Sequence, residues 1–352
     1  MNLNQRIEAF AKLGEFLSQF SSEKIEKKED SEFNNLFFEA FKMQLERASE
    51  YNGWFTKNNV LNAFENWSKT LTKSNLNKWT STYAFNIKNP KKIAVIMAGN
   101  IPLVGFHDFL SVLISGHNIT VKLSSNDQHF IPLVAKFLEY YNEEFKGKIT
   151  FSKEKLTDFD AVIATGSNNT ARYFEHYFGK YPHIIRKNRN SVAILTGKET
   201  QEELALLGED IFQFFGLGCR SISKLFVPKG YNFDTFFKAI YKFNTIIEYK
   251  KYENNYNYNK AVYLMSLFKL QENGFLMLKE DSQFASPIAT LFYEYYDDFE
   301  NLLKNLQQNS DKIQCIVSNE NVVDFVKFGN SQKPELWNYA DNIDTIKFLL
   351  KL

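Results

Sequence analysis

The chain has 352 residues, with 42 Lys and Arg set against 41 Asp and Glu, giving a formal charge of +1 at pH 7. That length supports two or three cores in contact, since single cores stop growing near ~250–300 residues. Near-neutrality removes the electrostatic case for nucleic acid or an anionic membrane as partner, and 44% hydrophobic with 24% charged residues is a globular rather than a disordered make-up.

The opening stretch, MNLNQRIEAFAKLGEFLSQF, spaces Leu3, Ile7, Phe10, Leu13 and Leu17 as on one helix face. Charges break it, so it lacks the continuous apolar segment of a signal peptide. Residues 1–80 read as helices throughout. From Lys91 the character changes: KIAVIMA is a short buried strand, LVGFHDFLSVLIS a helix interrupted by His107 and Asp108, and NITVKL a second strand. FIPLVAKFLEYYNEEF is a helix, KITFS and DAVIATG are strands, and NTARYFEHYF is a helix. Apolar strands alternating with amphipathic helices predict a parallel, doubly wound α/β sheet.

A second α/β segment follows a boundary near Lys187. It runs through strand SVAIL, helix ETQEELALLGEDIFQFF, a turn holding Cys219, and strand SKLFVP. Helices YNFDTFFKAIYKF and AVYLMSLFKL and strands ASPIATLFYEY and KIQCIVS come later; YKKYENNYNYNK between them reads as a solvated connection. No run of ~18 apolar residues predicts a membrane span. Two cysteines, Cys219 and Cys315, make no disulfide framework, and a reduced, cytoplasmic protein is expected.

Four motifs fall at strand ends, where open parallel sheets bind ligands. MAGNIP offers the Asn100 side-chain amide beside Gly99. VKLSSN ends a strand with Lys122, Ser124 and Ser125, suited to phosphate or ribose. ATGSNNT, with Thr165, Gly166 and Ser167, is a strand-to-helix turn whose exposed N–H groups suit an anion. FGLGCRS places Cys219 between glycines and Arg220. Each motif has a plainer reading as turn, cap or surface, and GxGxxG is absent after the first strand.

In this order the motifs resemble the aldehyde dehydrogenase superfamily, with its WNFP-like, KPSE-like, TGS and GQxC-like segments. GNIPLVG, ATGSNNTARYF, RKNRNSVAIL, GLGCRSISKLFVP and YADNIDTIKFL narrow the resemblance to the acyl-CoA reductases of the LuxC type, best known from bacterial luminescence. It runs from about Lys91 to the C-terminus. The resemblance implies a Rossmann-like cofactor domain at 81–187, a catalytic domain at 188–325, an N-terminal helical region at 1–80 and a C-terminal segment at 326–352. It also implies a Cys219 nucleophile, an Asn100 oxyanion donor and cofactor contacts from Lys122, Ser124, Ser125, Thr165, Gly166 and Ser167. His176 and His183 are candidate acid/base groups, and no metal is expected.

Two departures from the superfamily carry chemical meaning. Hydrolytic members place a glutamate base in an ELGGK segment; the corresponding IIRKNRN, Ile184 to Asn190, has no carboxylate. That favours forming and reducing an acyl-thioester over hydrolysing it. The EIFGP glutamate is matched by Gln283 in QFASP. The expected activity is reduction of a fatty acyl-CoA to the aldehyde with NADPH, NADH being an alternative. A related enzyme with a non-CoA substrate and a non-catalytic acyl-binding subunit are the competing readings. Acyl-transferring or acyl-activating proteins and a second copy of the chain are candidate partners.

Overall fold

The computed structural model describes residues 1–352. The chain divides into two units, Met1–Lys187 with Glu335–Leu352, and Asn188–Pro334. The first opens with α1 (Leu3–Leu17), α2 (Asn34–Tyr51), α3 (Lys57–Thr70) and α4 (Lys73–Thr80). A capping box starts α1: the Asn2 side chain accepts the Gln5 N–H while the Gln5 side chain accepts the Asn2 N–H. Thr56 and Thr72 cap α3 and α4 from one side only, each hydroxyl accepting one backbone N–H. Of the five residues that set the helical spacing, Ile7, Phe10, Leu13 and Leu17 are buried and Leu3 is half-buried. Much of the phenylalanine is spent here. Phe16 meets Phe41 and Phe137 with ring centroids 5.0 Å apart, and Phe64 meets Phe130 edge-on at 5.3 Å.

Next come β1 (Lys92–Ile96), α5 (Phe106–Ser115), β2 (Asn118–Lys122), α6 (Phe130–Tyr141), β3 (Ile149–Phe151), β4 (Ala161–Thr165), α7 (Asn168–Phe178) and β5 (His183–Arg186). The five strands form one parallel sheet in the order β3-β2-β1-β4-β5. Ile93, Ala94, Val95, Val162 and Ile163 are buried, as strands covered on both faces require. The chain order reverses between β1 and β4, which opens a crevice beyond their C-terminal ends. α5 begins three residues after the apolar run at Leu103, because Leu103 sits in the left-handed region at φ 59°.

The second unit contains β6 (Asn190–Ile194), α8 (Gln201–Phe212), β7 (Ile222–Pro228), α9 (Phe233–Ile240), α10 (Lys250–Met265), β8 (Leu270–Glu272), β9 (Met277–Glu280), β10 (Thr290–Tyr296), α11 (Phe299–Gln308) and β11 (Ile313–Val317). Its sheet runs β11-β6-β7-β10-β9-β8, parallel except for β8 against β9. The polar stretch at 249–260 is helix, not a solvated connection. α10 buries Tyr252, Tyr256 and Asn259 at helical spacing, and their polar tips are satisfied. Tyr252 Oη donates to Phe275 O at 3.0 Å, and Asn259 Nδ2 to Ile288 O at 2.9 Å.

From Glu335 the chain rejoins the first unit and ends in α12 (Thr345–Leu349). Trp79 Nε1 donates to Tyr339 Oη at 2.7 Å, and His107 Nε2 meets Leu336 O at 2.9 Å. The two α/β segments with parallel sheets expected from the sequence are found, each as its own unit. No helix is long and apolar enough to cross a membrane.

Candidate active site

In the first unit, three of the four strand-end motifs gather at one edge of the sheet. β1, β2 and β4 are adjacent and parallel, so the residues after Ile96, Lys122 and Thr165 all emerge at the same end. Gly99 is required there by space: a Cβ would lie 2.6 Å from Ser124 Cβ and Oγ. Asn100 and Ser125 are exposed, and Lys122, Ser124, Thr165 and Gly166 half-buried. Lys122 Nζ donates to Glu154 O at 3.1 Å, which steers its ammonium along the sheet edge toward β3. Ser167 is the N-cap of α7, its Oγ accepting the Thr170 N–H at 3.2 Å. An ammonium, two serine hydroxyls beside it and a capped helix start beyond β4 form a donor set that fits the phosphates and riboses of a dinucleotide.

His176 and His183 are not brought to that edge. α7 starts at the C-terminal end of β4, and His176 lies eight residues along it, about 12 Å away at 1.5 Å per residue. His183 opens β5 opposite Val162, whereas Thr165 pairs with Arg186 at the other end. Both imidazoles are exposed, and His183 Nδ1 is engaged by Tyr181 O at 2.8 Å.

Asp127 closes the turn after β2. Its carboxylate is buried and accepts the Leu103 N–H at 3.0 Å. Burial pushes the carboxyl up to about 7, with the Leu103 N–H opposing. A folded-state value raised above that of the unfolded chain means ionisation costs the fold stability as pH rises through about 7. A buried carboxyl of this kind could not be read from KLSSND, where an aspartate after serines looks like a turn residue.

In the second unit, Cys219 sits in the β-turn Gly218–Ser221 immediately before β7. The Ser221 N–H donates to Gly218 O at 3.0 Å, and the Gly218 N–H to Ser221 Oγ at 3.2 Å. Since peptides are trans, fixing the Gly218 carbonyl toward Ser221 directs the Cys219 N–H the opposite way. The Cys219 carbonyl is held by Ser191 Oγ at 2.9 Å, the fully buried hydroxyl on β6. Behind the turn, Ser191 Oγ also lies 3.1 Å from Cys315 Sγ. Burial pushes the Cys315 thiol up, and the Arg220 guanidinium and Ser191 hydroxyl pull it down. Arg220, the neighbour of Cys219 in sequence, thus bears on the second cysteine.

The approach to the turn is conformationally costly. Phe214, Phe215 and Gly216 take φ of 54°, 56° and 76°, three left-handed residues in a row. For each phenylalanine this costs ~1–2 kcal/mol. Such strain is kept where the surroundings over-determine it, and it clusters at functional sites.

Two buried lysines inside apolar strands, which the sequence reading did not single out, brace the segment after β9. Lys224 on β7 donates to Glu294 at 2.6 Å and to Ser282 O at 2.9 Å. Lys279 on β9 pairs with Asp281 and lies 4.1 Å from the Phe268 ring centroid. With Ser223 Oγ donating to Phe284 O at 2.6 Å, they pin residues 281–284, which include Gln283.

Solved aldehyde dehydrogenases share this architecture. Aldehyde dehydrogenase 21 from Physcomitrella patens, solved with its product succinate, superposes with a TM-score of 0.67 at 12% identity, over 100% of this chain and 84% of that one. An aldehyde dehydrogenase from Bartonella henselae gives 0.62 at 12%, over 91% and 75%. A protein described as a methylmalonate-semialdehyde dehydrogenase from Sinorhizobium meliloti, solved with NAD, gives 0.59 at 15%, over 92% and 74%. At these identities the likeness is one of fold. No curated protein sequence matches.

The fold is therefore that of the aldehyde dehydrogenases. Residues 2–238 match the family model described as Acyl-CoA reductase (LuxC), and the chain belongs to that family.

Proposed function

We propose that this acyl-CoA reductase works through an acyl-thioester on Cys219, on a fatty acyl-CoA, with NADPH as the preferred reductant. The Cys219 turn carries the reading: a strained left-handed approach, a glycine before the thiol, and an N–H turned away from Ser221. The Cys219 thiolate attacks the acyl carbonyl, the new S–C bond forms, and CoA leaves as its thiolate. One thioester replaces another, so the step is nearly balanced in energy. What the protein must supply is position and stabilisation of the tetrahedral oxyanion. The Cys219 N–H is one donor; the role the resemblance gives Asn100, a side-chain amide donor to that oxyanion, is the other. Loss of one such donor typically costs ~10²–10³ in rate. Lys122, Ser124, Ser125 and the Thr165–Ser167 turn would hold a dinucleotide, which when bound supplies the hydride that takes the thioester to the aldehyde level.

Ile184–Asn190 carries no carboxylate to activate water. Intact-mass measurement after mixing with a long-chain acyl-CoA should therefore show one stable acyl adduct, discharged by NADPH or by added thiol faster than by water. Rapid appearance of free carboxylic acid instead would refute a reductase without a hydrolytic base.

The nicotinamide preference rests on Ser125, which stands where an NAD-selective enzyme of the superfamily carries a glutamate on the adenosine ribose. A 2′-phosphate gains charge-assisted bonds from Lys122 and the serine hydroxyls, with no carboxylate to repel it. Ser125→Glu should weaken NADPH use by ~1–3 kcal/mol in kcat/KM and leave NADH nearly unchanged. An unaltered kcat/KM for NADPH would move the ribose elsewhere.

A further inference from the structure

The turn after β1 and the turn after β2 are tied together from two sides. Through its backbone Asp127 belongs to the second turn, its N–H donating to Ser124 O at 3.1 Å. Through its carboxylate it belongs to the first, accepting the Leu103 N–H at 3.0 Å. That bond helps hold Leu103 at φ 59°, a conformation a leucine disfavours. Asn52, buried between α2 and α3, spans the same pair from the helical side. Its Nδ2 reaches Gly99 O and Asn126 O, each at 3.4 Å, while its Oδ1 accepts the Trp54 N–H at 3.0 Å. The two long bonds are individually weak, but the Trp54 bond fixes the amide so that its N–H groups can face only the two turns. No side chain intervenes at Gly99, where a Cβ would strike Ser124.

Two surface turns of this kind would ordinarily move independently. Here a displacement of Ser124–Asp127 must carry Gly99–Leu103 with it or break buried hydrogen bonds.

We propose that Asn52 and Asp127 are positioning residues that make the two turns one body, so that a dinucleotide held at Ser124 and Ser125 also fixes the turn that presents Asn100. The inference rests on the cofactor reading above and deepens it. It gives the N-terminal helical region a part in the reaction: α2 and α3 deliver Asn52 to the cofactor edge. Neither residue is among those proposed to hold the cofactor or to act on the thioester.

Amide hydrogen exchange, read by mass spectrometry with and without NADPH, tests it alongside a fluorescence titration of NADPH binding. In the wild-type protein NADPH should slow exchange in peptides covering 98–104 and 123–127 together, by roughly 5-fold or more. In Asp127→Ala the 123–127 peptide should still respond while 98–104 no longer does. Asp127→Asn, whose amide oxygen can accept the same N–H, should behave as wild type, which a loss of folding stability alone would not produce. Asn52→Ala, which leaves the carboxylate in place, should halve the response of 98–104 or better. Protection of 98–104 that persists in both Asp127→Ala and Asn52→Ala overturns the coupling while leaving the cofactor reading standing. NADPH that binds without protecting 98–104 in the wild type does the same. Failure of the wild type to bind either nicotinamide overturns the cofactor reading, and the coupling with it.

Discussion

Cys219→Ala should gain no acyl mass from acyl-CoA and should lose reductase activity by about 10⁴-fold or more, the scale seen when a covalent nucleophile is removed. Cys315→Ala should acylate at a rate close to wild type. The contrast follows from the two environments. Cys219 is a central residue of a turn, with its own carbonyl held from behind by Ser191 and its N–H directed away from Ser221. Cys315 lies within β11, its thiol raised by burial and occupied by Ser191 and Arg220. A thiol disfavoured as thiolate is a poor nucleophile. Acylation of the Cys219→Ala protein, abolished only when Cys315 is also replaced, would reverse the assignment.

Asp108→Ala should destabilise the first unit by ~3–5 kcal/mol, because it strands a buried guanidinium. Arg186 at the end of β5 is 3% exposed; it donates to Asp108 Oδ1 and to Thr345 Oγ1, both at 2.9 Å. Nothing else neutralises it, and its Nε and Nη1 already lack partners. For a unit of about two hundred residues the loss corresponds to a Tm lower by roughly 6–20 °C in a calorimetric scan. A Asp108→Leu/Arg186→Met double variant should recover much of this, since exchanging a whole buried pair for apolar groups is close to neutral. A Tm shift below about 2 °C for the single variant would mean that water reaches the guanidinium.

The parallel sheet of the first unit was legible because β1 and β4 read as near-continuous apolar runs, IAVI and AVIA, while β2 alternates buried Ile119 and Val121 with half-buried Asn118, Thr120 and Lys122. β5 was not, since HIIR offers two apolar residues between charges, and its pairing with β4 is set by tertiary context. α10 escaped because its buried face is tyrosine and asparagine, which composition scores as solvated; only the contacts of their polar tips reveal an interior. Lys122, Ser124, Ser125 and Thr165–Ser167, the residues proposed to hold a cofactor, could be gathered to one sheet edge from sequence because strand ends in a parallel sheet share a side. The same rule separates His176 and His183 from them, but it needs the register of β4 on β5, which the sequence does not display. Asp127 and Asn52 were out of reach for another reason. Their partners are backbone groups, and backbone groups carry no residue signature.

The return of the chain at Glu335 makes Asn188–Pro334 an insertion within the first unit. A ribosome therefore completes every strand and helix of the inserted unit before it delivers the last pieces of the one that encloses it in sequence. Until Tyr339 and Thr345 emerge, Trp79 waits for its hydroxyl acceptor, Arg186 for one of its two acceptors, and His107 and His117 for the carbonyls of Leu336 and Leu349. The first unit to start is the last to finish. The first unit thus cannot complete its buried hydrogen bonds until residues 335–352 are in place, although most of its own chain precedes the whole of the inserted unit.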